Sequence, residues 1–201
     1  MSDLIILPSE TKFEKKIDKK LKRAQSLVGT SDGRAENDYY PTPPEATQAL
    51  LRVEKFSRKI WEPACGDGSM SIVLENAGYE VMSTDLIDYG YGEAPHDFLT
   101  SDRTCENIIT NPPFILAEKF VELGLQRTTG KVALLCKLQF LEGAKRKIMF
   151  ESAPLKTVWV FSKRISMYRN GKKEKYGSSM IAFAWFVFQH GWIEDPIIKW
   201  L

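Results

Sequence analysis

Asn111-Pro112-Pro113-Phe114, directly after the apolar run Ile108-Ile109-Thr110, is the segment whose residue types best support chemistry. Consecutive prolines at the end of a strand fix the backbone and leave the Pro112 carbonyl without a following amide donor to compete for it. The Asn111 side-chain oxygen and that carbonyl then offer two acceptors to one planar amine. An exocyclic amine on a heteroaromatic ring is a poor nucleophile because its lone pair is delocalised. Accepting both of its N–H bonds draws the nitrogen toward tetrahedral geometry and frees the lone pair. Phe114 adds an apolar face for a planar base. Asn111, Pro112, Pro113 and Phe114 are therefore the candidate catalytic residues.

A second constellation, Ile60-Trp61-Glu62-Pro63-Ala64-Cys65-Gly66-Asp67-Gly68, reads as a strand entering a glycine turn and then a helix. In a doubly wound sheet, ligands bind beyond the carboxyl ends of the strands, and glycines there admit close approach to the backbone. Asp85 follows about 20 residues after the turn, at the end of the next strand, where a carboxylate can accept from both ribose hydroxyls of a nucleoside. A dinucleotide fingerprint calls for a third glycine where this chain has Ser71, which disfavours a nicotinamide cofactor.

These two segments, with Tyr40-Pro41-Thr42-Pro43 ahead of them in the same order, resemble the amino-methyltransferases of the adenine-N6 type. The likeness covers roughly residues 39–140. It implies a Rossmann-like class I methyltransferase fold and S-adenosylmethionine as cofactor. It also implies a cofactor pocket formed by Tyr40, Thr42, Pro43, Glu62, Pro63, Ala64, Cys65, Gly66, Asp67, Gly68, Asp85, Leu86 and Asn111, with Asp97 and Phe98 in the segment that contacts the cofactor adenine. Farther on, Phe140-Leu141-Glu142-Gly143, Arg164-Ile165-Ser166 and Ala184-Trp185-Phe186-Val187 are similar to small phage- and prophage-borne DNA methyltransferases. The target implied is adenine N6 in DNA. RNA adenine methylation uses the same site chemistry and stays open. Protein glutamine methylation is less favoured, since its enzymes usually carry tyrosine where this chain has Phe114. A non-catalytic module binding the cofactor or nucleic acid is the remaining alternative.

The elements that must position these residues alternate along the chain. A helix is expected to run to about Val53, with Thr42 as its capping residue, Pro43 and Pro44 in its first turn and Glu45 three positions after the cap. Strands follow at Ile60-Trp61, Val81–Thr84, Asn107–Thr110, Val132–Cys136, Thr157–Phe161 and Met180–Phe188. Helices are expected after Gly68 as far as Gly78, at Leu116–Gln126 and at Gly143–Ser152. The pattern is that of an α/β fold: a doubly wound, mostly parallel sheet with helices on both faces. Residues 1–36, polar and lysine-rich, read as a basic N-terminal arm, helical or flexible, ahead of a single domain spanning 37–201.

Composition is that of a globular chain, with 43% hydrophobic and 27% charged residues. No apolar run is long enough to span a bilayer and no secretory leader is evident, so a cytoplasmic protein without a membrane partner is expected. Cys65, Cys105 and Cys136 fit neither a disulfide framework nor a metal site and read as packed thiols. With only His96 and His190 as histidines, no metal is expected; His96 reads as a surface-loop residue. The net charge of +2 is too small to imply a polyanion partner, so the position of the charge matters. Lys163, Arg164, Arg169, Lys172, Lys173 and Lys175, in the loop Ser162–Gly177, are the candidate nucleic-acid-binding residues. Such a loop grips phosphates better than it reads base edges, which predicts relaxed sequence preference. A monomer or weak dimer is expected.

Overall fold

Strands buried on both faces need helices on both, and neighbouring residues along each central strand divide accordingly. In the computed structural model, which describes residues 39–167 and 181–201, Ile108, Val132, Leu134, Phe186 and Phe188 face one layer, while Ile109, Ala133, Leu135, Trp185 and Val187 face the other. The first layer is closed by α3 (Ala117–Arg127) through Phe120 and Val121, with Met149 and Phe150 of α4 (Ala144–Ser152) packed beside them. The second is closed by α1 (Pro44–Val53) through Ala46 and Leu50, and by α2 (Ser69–Asn76) through Met70 and Leu74.

The sheet has seven strands: β1 (Lys59–Glu62), β2 (Glu80–Ser83), β3 (Asn107–Thr110), β4 (Lys131–Lys137), β5 (Leu155–Val160), β6 (Phe183–Gln189) and β7 (Ile197–Trp200), in the order β2-β1-β3-β4-β6-β5-β7. Only β6 runs against the rest; it pairs antiparallel with both β4 and β5. The doubly wound, mostly parallel expectation holds. The order reverses between β1 and β3, where the chain leaves β1 toward β2 and later returns to the opposite side. That switch point opens the crevice in which open α/β sheets bind ligands.

Buried tryptophans tie the layers together. Trp185 Nε1 donates to the Ala46 carbonyl at 3.0 Å, fixing α1 on the sheet, and Trp61 Nε1 donates to Thr84 Oγ1 at 2.9 Å. Trp159 Nε1 donates to Glu54 Oε1 at 3.0 Å, and Lys131 Nζ to Glu54 Oε2 at 2.6 Å. Glu54 thus connects the end of α1 to two strands more than 70 residues away.

Several expectations need correction. Thr42 does not cap α1: Pro43 is the N-cap, no side chain bonds there, and Thr42 is buried. A proline at the first helical position already removes one of the donors a cap would satisfy. His96 is not a free surface residue, since its ring lies edge-on to Trp61 with Nε2 2.9 Å from Ser101 Oγ. The strand expected from Met180 begins at Phe183, and β7 was not anticipated. The N-terminal arm 1–36, Arg169, Lys172, Lys173 and Lys175 lie outside the described residues.

Candidate functional site

All the parallel strands end at one edge of the sheet, and the candidate residues from the first half of the chain converge there. The β1–α2 turn is fixed by backbone bonds from Gly68 N–H to Cys65 O at 2.9 Å and from Cys65 N–H to Thr84 O at 3.0 Å. Gly66 and Gly68 both adopt positive φ, 54° and 82°. A Cβ at Gly66 would lie 2.7 Å from the Tyr39 ring, and one at Gly68 would lie 2.5 Å from the Tyr91 ring. Glycine is needed here for conformation and for the close approach of two aromatic rings.

Those tyrosines, with Tyr89, were not singled out from the sequence. Tyr39 stacks on Tyr89 with centroids 4.3 Å apart, and its phenol is hydrogen-bonded to Asp67. Tyr91 donates to Glu75 Oε1 at 2.9 Å; burial and that carboxylate push its pKa up to about 12. The signal available in the sequence was the alternation Tyr89-Gly90-Tyr91-Gly92 close after Asp85.

Asp85 is half-buried beyond β2. Its Oδ2 accepts from Gly66 N–H at 2.8 Å and its Oδ1 from Ile87 N–H at 2.9 Å, so the carboxylate is locked to the glycine turn. Burial raises its pKa against these bonds. Each oxygen retains a lone pair for a further donor. Leu86 beside it is 56% exposed, an apolar surface at the mouth of the crevice. Glu62, at 2% exposure, hydrogen-bonds to Ser71, whose hydroxyl also lies 2.7 Å from that of Ser83. Burial pushes the Glu62 carboxyl well above the ordinary range. The Cys65 thiol is raised to about 12 by burial, which keeps it a neutral packing group.

Asp97 accepts from Leu99 N–H at 2.8 Å and shapes the loop that follows. The Phe98 ring does not face the crevice. It is buried at 3% exposure between Trp61 and Phe120, with the Arg127 guanidinium 4.8 Å from its centroid. Arg127 also donates to the Phe98 carbonyl, so this segment is held by the end of α3.

Asn111 leaves β3 beside Tyr40. Its Nδ2 donates to the Tyr40 carbonyl at 2.8 Å, while its Oδ1 is buried and has no hydrogen-bond partner among the described residues. Pro112 is buried, and the Pro113 carbonyl accepts from Leu116 N–H at 2.8 Å, starting a 3-10 turn over Phe114–Leu116. The Phe114 ring is half-buried, with Tyr40 stacked at 5.7 Å, Phe183 at 5.9 Å and Lys137 Nζ 4.8 Å from its centroid. Lys137, the last residue of β4, is a neighbour that no local pattern revealed.

Charge is divided along the chain. Residues 60–102 carry nine acidic side chains and no Lys or Arg, whereas residues 131–175 carry twelve Lys or Arg against three acids. Of the latter, Lys137, the start of α4 at Lys145–Lys147, and the exposed Lys163 and Arg164 follow the carboxyl ends of β4 and β5. Asp67 and Asp85 follow the carboxyl ends of β1 and β2, the basic residues just named follow those of β4 and β5, and Asn111–Phe114 follows β3 between them. Among the described residues no cluster of three or more His, Cys, Asp or Glu could hold a metal, and no helix is long and apolar enough to cross a membrane.

Comparison with solved structures places this geometry. A protein from Listeria monocytogenes described as a class I S-adenosylmethionine-dependent methyltransferase superposes with a TM-score of 0.57 at 14% identity, covering 93% of this chain and 73% of the other. The fold is that of a class I methyltransferase. A protein from Pyrococcus horikoshii described as an RNA methyltransferase matches with a TM-score of 0.60 at 15% identity over 76% of this chain and 87% of its own. A protein from Vibrio vulnificus described as a modification subunit of a type I restriction enzyme matches with a TM-score of 0.56 at 14% identity over 96% of this chain. This chain spans about half of that subunit, 53% of its length. No protein-family model matches the chain, and no curated protein matches it in sequence.

Proposed function

We propose that the protein is an S-adenosylmethionine-dependent methyltransferase acting on the exocyclic N6 amine of adenine in DNA. The observation that carries this reading is the buried Asn111 Oδ1, which no described residue satisfies. A carbonyl can only accept, so the end of the amide that faces the Tyr40 carbonyl is Nδ2, and the free end is the oxygen. An unmade bond at a buried acceptor costs on the order of 1–3 kcal/mol, and an N–H donor entering the site recovers it. An amino group is such a donor.

The cofactor fits the crevice at the ends of β1 and β2. Gly66 and Gly68 keep the turn free of side chains, Asp85 is held ready to accept from ribose hydroxyls, and exposed Leu86 offers an apolar face to a purine. A ligand carrying a sulfonium and an ammonium also suits a stretch of chain without cations. When bound, S-adenosylmethionine supplies an electrophilic methyl group. The chain's own contribution is to hold the amine: Asn111 Oδ1 accepts one N–H and the Pro112 carbonyl the other, aligning the nitrogen lone pair without any strongly shifted base. A base stacking on Phe114 takes over ring contacts now made by Tyr40 or Lys137.

The basic residues after β4 and β5 favour a polyanion as the carrier of that amine, and Lys163 and Arg164 are exposed at the end of β5. DNA is favoured over RNA by the sequence resemblance; the fold is shared both with the restriction-enzyme subunit from Vibrio vulnificus and with the protein described as an RNA methyltransferase and does not separate the two. The test is direct. Labelled cofactor is incubated separately with unmethylated duplex DNA, total RNA and protein lysate, followed by digestion and identification of the product. N6-methyladenine in DNA is expected; label only in RNA or in glutamine overturns the assignment.

A further inference from the structure

Asn111 Oδ1 is buried, so an adenine stacked within a duplex cannot deliver its amine to it. The base must leave the helix, and the vacated position then lies against the mouth of the site. Ile115 stands at that mouth. It follows Phe114 directly and is 65% exposed although its neighbours on both sides are half-buried. Its backbone is rigid: two prolines precede the turn, Leu116 N–H bonds back to Pro113 O at 2.8 Å, and the Ala117 N–H bonds to Phe114 O. A fixed, branched apolar side chain is the kind of wedge that enters a base step and holds it unstacked.

Other exposed apolar residues at this edge fit the role less well. Leu86 stands beside Asp85, where phosphates are disfavoured. Ile148, 69% exposed, lies on the second turn of α4 and not beside Asn111 in sequence or strand register. Beside Phe114 sits the Lys137 ammonium, and the exposed Lys145, Lys163 and Arg164 also follow the carboxyl ends of β4 and β5. These cations draw a phosphate strand across the turn that carries Ile115.

Resting on the DNA reading above, we propose that Ile115 is a positioning residue which fills the gap left in a DNA duplex by the extruded target adenine, making duplex rather than single-stranded DNA the preferred substrate.

The experiment compares wild type, Ile115→Ala and Ile115→Leu on three oligonucleotides containing the target adenine: matched duplex, duplex with a mismatch at the target, and single strand. Methylation is measured on these, and 2-aminopurine fluorescence on a matching duplex in which 2-aminopurine replaces the target adenine. Ile115→Ala should lower kcat/KM on matched duplex by about tenfold or more and reduce the 2-aminopurine signal, with a smaller loss on the mismatch, where extrusion is easier. Activity on the single strand should stay within about twofold. Ile115→Leu should restore most of the duplex activity. An equal loss on single strand and duplex would mean that Ile115 shapes the pocket and would overturn the inference. Unchanged duplex activity in Ile115→Ala, or a wild type that methylates only single strands, would also overturn it and leave the methyltransferase reading standing. A wild type that methylates no nucleic acid removes both.

Discussion

Asn111 and Tyr40 are joined by a 2.8 Å hydrogen bond in which the side-chain amide donates to a backbone carbonyl, leaving Asn111 Oδ1 buried and free to accept. The bond orients the amide and couples the β3 terminus to the segment that enters α1. Asn111→Ala removes the acceptor and the tether together. Turnover should fall by at least ~100-fold, because the acceptor matters most as the amine becomes tetrahedral, and by far more than affinity for S-adenosylmethionine, which loses only the tether to Tyr40. Single-turnover methylation alongside calorimetric titration of the cofactor separates the two. An active Asn111→Ala enzyme would sink the proposed mechanism.

Asp85 is expected to carry much of the cofactor affinity. Its oxygens already accept from Gly66 and Ile87, so Asp85→Ala loses the ribose acceptor and loosens the glycine turn. Affinity should weaken by ~1–3 kcal/mol through lost charge-assisted bonds. Because burial raises the Asp85 pKa, cofactor binding by the wild type should fade with acidification at a pH above that of an ordinary aspartate. Titration of binding against pH tests both statements; an unchanged affinity in Asp85→Ala removes the residue from the site.

The central fold was legible where the pattern is local. Asn107–Thr110 matches its expected strand residue for residue because four consecutive buried positions leave no other reading. The glycine turn and α3 were found through turn chemistry and helical periodicity. β7 was missed because all four of its residues, Ile197 to Trp200, are exposed and show no alternation. β5 starts at Leu155, ahead of expectation, with an irregularity in its pairing to β6 between Leu155 and Thr157. The tyrosines over the glycine turn, Lys137 on Phe114 and Arg127 on Phe98 depend on packing across the fold. Single-sequence patterns carry no trace of them.

Glu54 illustrates such a long-range device. Only 6% exposed, it accepts from Lys131 Nζ and Trp159 Nε1 and so locks α1 to β4 and β5. Glu54→Ala leaves a mostly buried ammonium and a buried indole N–H without their acceptor. Part of that loss is offset, since Lys131 Nζ also donates to the Lys55 carbonyl at 2.9 Å. A destabilisation of ~2–4 kcal/mol is expected from urea unfolding. A change below ~0.5 kcal/mol, the level of an ordinary surface substitution, would show that the clamp contributes little.

Glu62 gives the pH dependence of stability a definite sign. Its folded pKa is raised by burial, so between the ordinary carboxylate value of 4.5 and the higher folded value the native state holds a proton that the unfolded state has released. Stability from this group is present below that window and declines as pH rises through it; Asp85, also raised, contributes in the same direction. Glu62→Gln is uncharged at every pH and should remove the larger part of the decline. Urea unfolding from pH 4 to pH 8 at about one-unit intervals provides the curves. A Glu62→Gln variant that loses stability with rising pH as steeply as wild type would show that Glu62 is ionised in the fold.

The division of charge along the sheet edge predicts how nucleic acid binds. Residues 60–102 carry nine acids, of which Glu80 pairs with Arg58 and Glu93 with Arg103; the others, Asp67 and Asp85 at the glycine turn among them, disfavour a phosphate backbone on that side, and the strand is expected to run over the ends of β4 and β5. Lys145, Lys163 and Arg164 are exposed and follow the ends of β4 and β5. Side chains of this type grip phosphates and read a base edge only where one of them reaches into a groove. Replacing Lys145, Lys163 and Arg164 together with Gln should weaken binding on all DNA sequences by similar factors. The dependence of log affinity on log salt should flatten by about 0.9 for each phosphate that is no longer neutralised. The same variant should bind S-adenosylmethionine as the wild type does, because its changes lie away from the ends of β1 and β2. Preference among methylated sites, sequenced after expression in a methylation-free host, should stay short or degenerate and be the same for both proteins. A salt slope identical to wild type would move the nucleic acid off this surface, and a change of target sequence would mean that these side chains read bases as well as phosphates.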